Sequence, residues 1–350
     1  MWRPAGQREM SPTLCLDLGG TWFRAGTADR TGRLRLLHRS PAISVRNHHE
    51  PVATLQRRLV DYIVTTTREA DLPDGAGVGI SLGAALNGRT GEVLGSAPLW
   101  GPGRYPFDLT ARLRQRLPDI RFHLLNDVTA LAHAVRAAHP APGVSSRAAA
   151  VTVSSGIACR TIELGTGRIP LDPVHGLQGE IGHLPVDVRW RGKVRENRCD
   201  CGALNHLSAF SSGRGFESLL ATLPEATAFR ERPGSPGPAV RAFTERVRQG
   251  DRHAAELLDL FTLPLAKVLL CHATLDPEVE ATFLFGGVVE GLGHHYRESL
   301  IRNLEELGLY GITDRDKNHF RNRIFLGDDD GLAALRGIDA YLRNSLDDNH

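Results

Sequence analysis

The chain has 350 residues, of which 42 are Lys or Arg and 40 are Asp or Glu, so its formal charge at neutral pH is only +2. The basic residues are spread evenly rather than gathered into the stripe or tail that a polyanion requires, and no nucleic-acid partner is expected. No run approaches the ~20 apolar residues that cross a bilayer, and Met1-Trp2-Arg3-Pro4 lacks an apolar signal core, so a soluble cytoplasmic protein with no membrane association is expected.

Single cores stop growing well below this length, so two domains flanking a cleft are the default. Only Lys193, Lys267 and Lys317 are lysines. That bias toward arginine fits a GC-rich coding sequence and carries no binding inference. Residues 1–12 are polar and loose by composition. Thr13-Leu14-Cys15-Leu16-Asp17-Leu18 then reads as a buried strand ending at Gly19-Gly20-Thr21, a turn whose backbone N–H groups can approach a phosphate. Trp22 to Ala28, the turn Asp29-Arg30-Thr31-Gly32 and Arg33 to His38 complete an antiparallel meander. Leu55, Leu59, Tyr62 and Ile63 fall at helical spacing over 52–70, and Gly77 to Leu82 is a second buried strand.

The order strand, strand, strand, helix, strand is expected to repeat. The second copy would begin at Phe122-His123-Leu124-Leu125, pass through a helix at about 127–139, and reach the strand Ala148 to Val153 before Ser154-Ser155-Gly156. A third glycine turn, Gly286-Gly287, follows Phe283-Leu284-Phe285. Three such turns after three buried strands point to one nucleotide held between two related lobes. Pro/Gly-rich segments at 140–147 and 233–238 read as surface loops, and Gly331 to Leu346 as an amphipathic helix.

Gly179-Glu180-Ile181-Gly182-His183 leads into Cys199-Asp200-Cys201-Gly202 and then His206. Two thiolates and two imidazoles at H-x15-C-x-C-x4-H suit tetrahedral zinc in a closed structural site. The other reading is a buried thiol pair in a Gly-rich turn beside two unrelated histidines. Cys-x-Cys is too tight for a relaxed disulfide, so a metal explains the pair better than oxidation does. Asn126-Asp127 at a strand end also has two uses, a helix cap and a catalytic carboxylate, which can coexist.

Taken in order, Asp17-Leu18-Gly19-Gly20-Thr21, the Gly83 to Gly91 turn, Asn126-Asp127, Gly179 to His183, the Cys-x-Cys-Gly cluster, Ser211-Ser212-Gly213 and Gly286-Gly287-Val288 resemble the ROK family of sugar kinases and sugar-responsive repressors. The resemblance covers Leu14 to Tyr341. It implies an α/β, two-lobed, actin-like or hexokinase-like ATPase fold with nucleotide and acceptor in the interlobe cleft. The small lobe would be 13–125 plus a C-terminal helix, 331–347; the large lobe would be 126–330 with a zinc-binding loop. ATP and Mg2+ are the implied cofactors, held by Asp17, Gly19, Gly20, Thr21, Ser154, Ser155, Gly156, Gly286 and Gly287. Asp127 would be the general base, while Gly83, Asn87, Asn126, Asp127, Glu180 and His183 would contact a polyol or sugar-like acceptor. Structural Zn2+ would sit on His183, Cys199, Cys201 and His206, with His183 serving both acceptor and metal. A homodimer is also implied.

Four departures from the family pattern stand out, of which the serine loop and Ser208 bear on the substrate. Ser154-Ser155-Gly156 replaces a Gly-Thr-Gly phosphate loop, His206 replaces a third cysteine, and the segment between His183 and Cys199 is longer than usual. Ser208 stands where a glutamate usually contacts the sugar near its anomeric carbon. Losing a hydrogen bond to a charged group removes roughly 1.5–3 kcal/mol, so an ordinary hexose would be poorly held. The expected acceptor is therefore a ring without a normal anomeric centre, a C7 cyclitol of the valiolone type. An ordinary hexose kinase, such as a glucokinase or N-acetylmannosamine kinase, is the alternative, and a non-catalytic sugar sensor the alternative class. A repressor is not expected, because sixteen residues before Asp17 cannot hold a helix-turn-helix reader.

Overall fold

The computed structural model describes residues 12–73, 76–139, 146–229, 236–327 and 330–347. The chain divides into two compact units. The first runs to Ala138, takes in Leu171–Leu177 and resumes at Gly331; the second holds His139–Pro170 and Gln178–Asp330. The division falls at 138/139 rather than at 125/126 because the helix after Asn126 packs on the C-terminal helix of the first unit.

In the first unit, β1 (Thr13–Leu18), β2 (Trp22–Ala28) and β3 (Leu34–Pro41) form the expected antiparallel meander. Helix α1 (Val52–Glu69) leads to β4 (Gly77–Leu82), which pairs with β1 in parallel. A small hairpin of β5 (Ala85–Leu86) and β6 (Val93–Gly95), then α2 (Ala97–Trp100) and α3 (Leu109–Arg116), precede β7 (Arg121–Asn126) and α4 (Asp127–Ala138). The sheet order is β3-β2-β1-β4-β7. Strand β7 is thus the fifth strand of the first sheet and does not open a second copy of the pattern. Parallel strands buried on both faces read as uninterrupted apolar runs, which carry no label for the sheet they join.

Every residue of β1 is buried. Leu14, Leu16 and Leu18 join a cluster with Leu55, Leu59 and Ile63 of α1, while Cys15 joins Leu335, Ile338 and Leu342 of the C-terminal helix Ala333–Asp347. The period of two therefore places a helix on each face of the sheet. The C-terminal helix is pinned further by Thr13 Oγ1, which donates to Asp339 Oδ1 at 2.7 Å.

Between α4 and that helix, His133 is 7% exposed, with its ring centroid 5.1 Å from that of Tyr341. Burial, reinforced by Arg136, lowers its pKa from 6.5 to about 4. The unfolded chain then binds a proton that the folded chain does not, so this contribution to stability is complete above pH 6.5 and lost as pH falls toward 4. Its full size is about 3 kcal/mol. Thermal melting followed from pH 7 to pH 4 should show a fall in Tm over that window that is shallower in His133→Leu.

The second unit starts with β8 (Arg147–Val153), antiparallel to β9 (Ile157–Glu163). An excursion follows: the hairpin β10 (Val188–Trp190) and β11 (Lys193–Arg195), then α5 (Leu207–Ser211), α6 (Gly213–Thr222) and α7 (Pro236–Arg248). Helix α8 (Arg252–Leu275) leads to β12 (Val279–Phe285), α9 (Gly287–Leu292), α10 (His294–Leu307) and β13 (Ile324–Leu326). Its sheet order, β13-β12-β8-β9, repeats strand, strand, helix, strand from Arg147 onward, with the meander's third strand replaced by the excursion. Its core includes Phe210, Phe216, Phe243, Phe261 and Tyr296. Residues 236–238 of the expected second loop open α7; the remainder of it, most of the 140–147 segment and residues 1–11 lie outside the described residues. Among the described residues, no helix is long and apolar enough to cross a membrane.

Candidate active site

The first unit gathers Asp17, Gly19, Gly83, Asn126 and Asp127 at the ends of β1, β4 and β7. Gly83 N–H donates to Leu18 O at 3.1 Å, and a Cβ at Gly83 would lie 3.6 Å from Asp127 Oδ2 and 3.7 Å from Gly19 Cα. The expected general base therefore stands beside the expected phosphate turn. Asn126 is the local anchor: its Oδ1 accepts the Val128 and Thr129 N–H groups at 3.0 and 3.3 Å, and its Nδ2 donates to Ala84 O at 2.9 Å. Capping falls to Asn126, and the adjacent Asp127 accepts the Val128 N–H at 3.0 Å.

Asp17 is buried, with Arg24 Nη1 donating to its Oδ2 at 2.8 Å and Ser81 Oγ to its Oδ1 at 3.2 Å. Burial raises its pKa, and Arg24 and Ser81 oppose that rise. A carboxylate has about four lone-pair sites, so two bonds leave capacity for a hydrated cation. Arg24 and Ser81 went unnoticed in the sequence because each becomes significant only through strand pairing, which sets Arg24 and Ser81 in register with Asp17 on either side of β1. The Gly19 N–H is taken by Trp22 O at 3.2 Å, closing the turn. Asn87 uses Oδ1 to accept the N–H groups of Arg89 and Thr90 at 2.9 and 3.2 Å, which shapes its turn and leaves its amide donors for other partners.

The second unit brings its remote glycine motifs together. Ser154 N–H donates to Gly156 O at 2.9 Å, and Val153 pairs with Ile157, so the loop is tight although it lacks the family's first glycine. Ser154 O accepts the Gly213 N–H at 2.7 Å, and a Cβ at Gly213 would lie 3.1 Å from Ser154 O and 3.2 Å from Val288 Cγ2. Gly286 has φ +102°, and a Cβ there would stand 2.6 Å from Val153 O. Only glycine meets both conditions. Ser154-Ser155-Gly156, Ser211-Ser212-Gly213 and Gly286-Gly287-Val288 thus form one surface at the ends of β8 and β12.

Glu180 precedes, and His183 ends, a short 3-10 turn, Ile181–His183. A Cβ at Gly182 would lie 2.3 Å from both Ile157 O and Ser208 Oγ, which places this segment against the serine loop. Ser208 Oγ accepts the Ile157 N–H at 3.2 Å. The hydroxyl at the position where the resemblance implies a glutamate is therefore already engaged with the backbone. Arg160 Nη2 donates to Glu180 Oε1 at 3.0 Å. This arginine was missed, although one charged residue inside Ile157-Ala158-Cys159-Arg160-Thr161-Ile162 was a visible signal.

The ligand atoms of His183, Cys199, Cys201 and His206 lie within 4.8 Å of one another. Tetrahedral zinc needs its ligand atoms about 3.5 Å apart, so a small closing movement suffices and the donor set fits the metal. Cys201 Sγ and His206 Nδ1 are 3.2 Å apart. Leu207 N–H to Leu184 O and Val186 N–H to Asn205 O, both 2.8 Å, fix the two histidine-bearing segments side by side. The segment between His183 and Cys199 holds the β10–β11 hairpin, whose turn residues Arg191 and Gly192 have φ of +49° and +77°.

The chain belongs to the ROK family, whose profile matches residues 13–316. It is 39% identical over 330 residues to a 2-epi-5-epi-valiolone 7-kinase of Actinoplanes sp., covering 89% of this chain and 88% of the relative. It is 31% identical over 338 residues to a C(7)-cyclitol 7-kinase of Streptomyces hygroscopicus subsp. jinggangensis, covering 92% and 91%. Among solved structures, a ROK family glucokinase from Streptomyces griseus in complex with glucose and AMPPNP matches with a TM-score of 0.66 and 21% identity, over 95% of this chain and 98% of that one. That likeness carries the hexokinase-like fold.

Proposed function

We propose that the protein is an ATP-dependent kinase that phosphorylates a C7 cyclitol of the valiolone type at its exocyclic C7 hydroxyl. The observation that carries this reading is the 39% identity to a 2-epi-5-epi-valiolone 7-kinase across 89% of the chain. Ser208 supports it independently. Its hydroxyl is bonded to Ile157 N–H and supplies no charged acceptor for an anomeric hydroxyl, which a cyclitol does not have.

Asp127 is the general base that receives the proton of the acceptor hydroxyl as its oxygen attacks the γ-phosphorus of ATP; the bond to the β,γ-bridging oxygen breaks and ADP leaves. Alignment and charge stabilisation carry most of such a transfer. Gly20, Thr21, Ser154, Ser155 and Gly156 offer N–H and hydroxyl donors to the phosphates, and Gly286-Gly287 offers a surface to the adenosine. Asp17 would hold Mg2+, which when bound would neutralise phosphate charge. Glu180 and His183 accept acceptor hydroxyls, with Gly83, Asn87 and Asn126 completing the contacts.

His183, Cys199, Cys201 and His206 would hold zinc, which would fix the loop that carries the acceptor residues. Purified protein should contain about one zinc per chain by elemental mass spectrometry. Cys199→Ser should lose most of it and raise the acceptor KM more than the ATP KM. The test of function is acceptor-dependent ADP formation across hexoses, N-acetylhexosamines and cyclitols. 2-epi-5-epi-Valiolone should give the highest kcat/KM, and a strong preference for glucose would overturn the reading.

A further inference from the structure

Arg160 lies near the middle of β9 with a side chain only 2% exposed, while the Glu180 side chain it meets is 35% exposed. A cation is unfavourable in such a place unless it is both paired and hydrogen-bonded. Here one guanidinium spans a loop. Nη1 donates to Cys159 O at 2.9 Å and to Gln178 O, and Nη2 donates to Glu180 Oε1 at 3.0 Å. The same loop is tied to β9 by Cys159 N–H to Gly179 O at 2.8 Å and Thr161 N–H to Gln178 Oε1 at 3.1 Å. Gly179 makes this approach possible: its φ is +68°, and a Cβ would stand 1.9 Å from Cys159 O.

We propose that Arg160 is a positioning residue for acceptor recognition, holding the Glu180 carboxylate through Oε1 so that Oε2 is presented to an acceptor hydroxyl. This rests on Glu180 being an acceptor contact. The guanidinium grips both the backbone just before Glu180 and the Glu180 side chain, so backbone and rotamer are fixed by one group whose planar fork loses little freedom in doing so. Its Nε is buried with no hydrogen-bond partner. The orientation that strands Nε is the one that delivers Nη2 to Glu180. Because the pair is neutral overall, it also suits an uncharged polyol.

The test uses the full-length enzyme, ATP and the best acceptor from the panel above, with Arg160→Lys and Arg160→Met. In folded variants the acceptor KM should rise at least tenfold while the ATP KM stays within twofold, with Arg160→Lys less affected than Arg160→Met. In a Glu180→Gln background, Arg160→Met should add less than threefold, because its effect acts through the carboxylate. An unchanged acceptor KM in either folded variant, or fully additive effects, would overturn the proposal. So would failure of both variants to fold, which would assign Arg160 to the loop's structure alone. A wild-type enzyme that turns over no acceptor would instead sink the kinase reading, and this one with it.

Discussion

Asp127→Asn should fold normally, bind ATP with wild-type affinity, and lose about 10²–10⁴-fold in acceptor-dependent kcat, the range associated with a single general base. The substitution keeps an oxygen able to accept the Val128 N–H that Asp127 takes at 3.0 Å, and Asn126 retains the helix cap, so α4 should not fray. Single-turnover kinetics would separate this loss from changes in product release. Wild-type turnover in a protein with an unaltered melting curve would remove Asp127 from the chemistry and leave it as part of the helix start.

Gly337→Ala should give a large loss of stability for a single methyl group. A Cβ at Gly337 would lie 1.7 Å from Ala130 O and 2.9 Å from Ala134 N, both backbone atoms of α4. Neither can rotate away, so the C-terminal helix must move as a body. Overpacking costs about 1–3 kcal/mol where side chains can adjust, and a clash with backbone should exceed that range. Shifting the helix also disturbs Ile338 and Leu342, which pack on β1 and β4. Urea unfolding should show a midpoint well below that of the wild type, whereas Gly287→Ala, where a Cβ meets nothing within 4 Å, should change stability little.

Much of the fold was legible because burial and periodicity agreed. Thr13–Leu18, Trp22–Ala28 and Gly77–Leu82 stand where their apolar patterns placed them, and α1 begins at Val52 as its spacing required. Sheet membership was not legible. Arg121–Asn126 and Arg147–Val153 are both short runs beside glycine or helix starts, and hydrogen-bond pairing alone assigns one to each sheet. The glycine motifs announced themselves because close backbone approach forbids a side chain. What stayed hidden were the partners that three-dimensional pairing supplies: Arg24 and Ser81 on Asp17, and Arg160 on Glu180. Ser208 was recognised as a departure, but that its hydroxyl serves the Ile157 backbone follows only from the fold.

The return of the chain to its first unit sets an order of events during synthesis. Strands β1 and β4 are made before the second unit, yet the side chains that cover one of their faces, Leu335, Ile338 and Leu342, are made only after it. The second unit, whose residues 139–170 and 178–330 all precede that helix, can complete its core first. Domains generally fold as units during translation, and exposed apolar surface in a waiting segment invites aggregation. A released chain truncated before residue 331 should therefore hold a protease-resistant second unit and a first unit that is still susceptible.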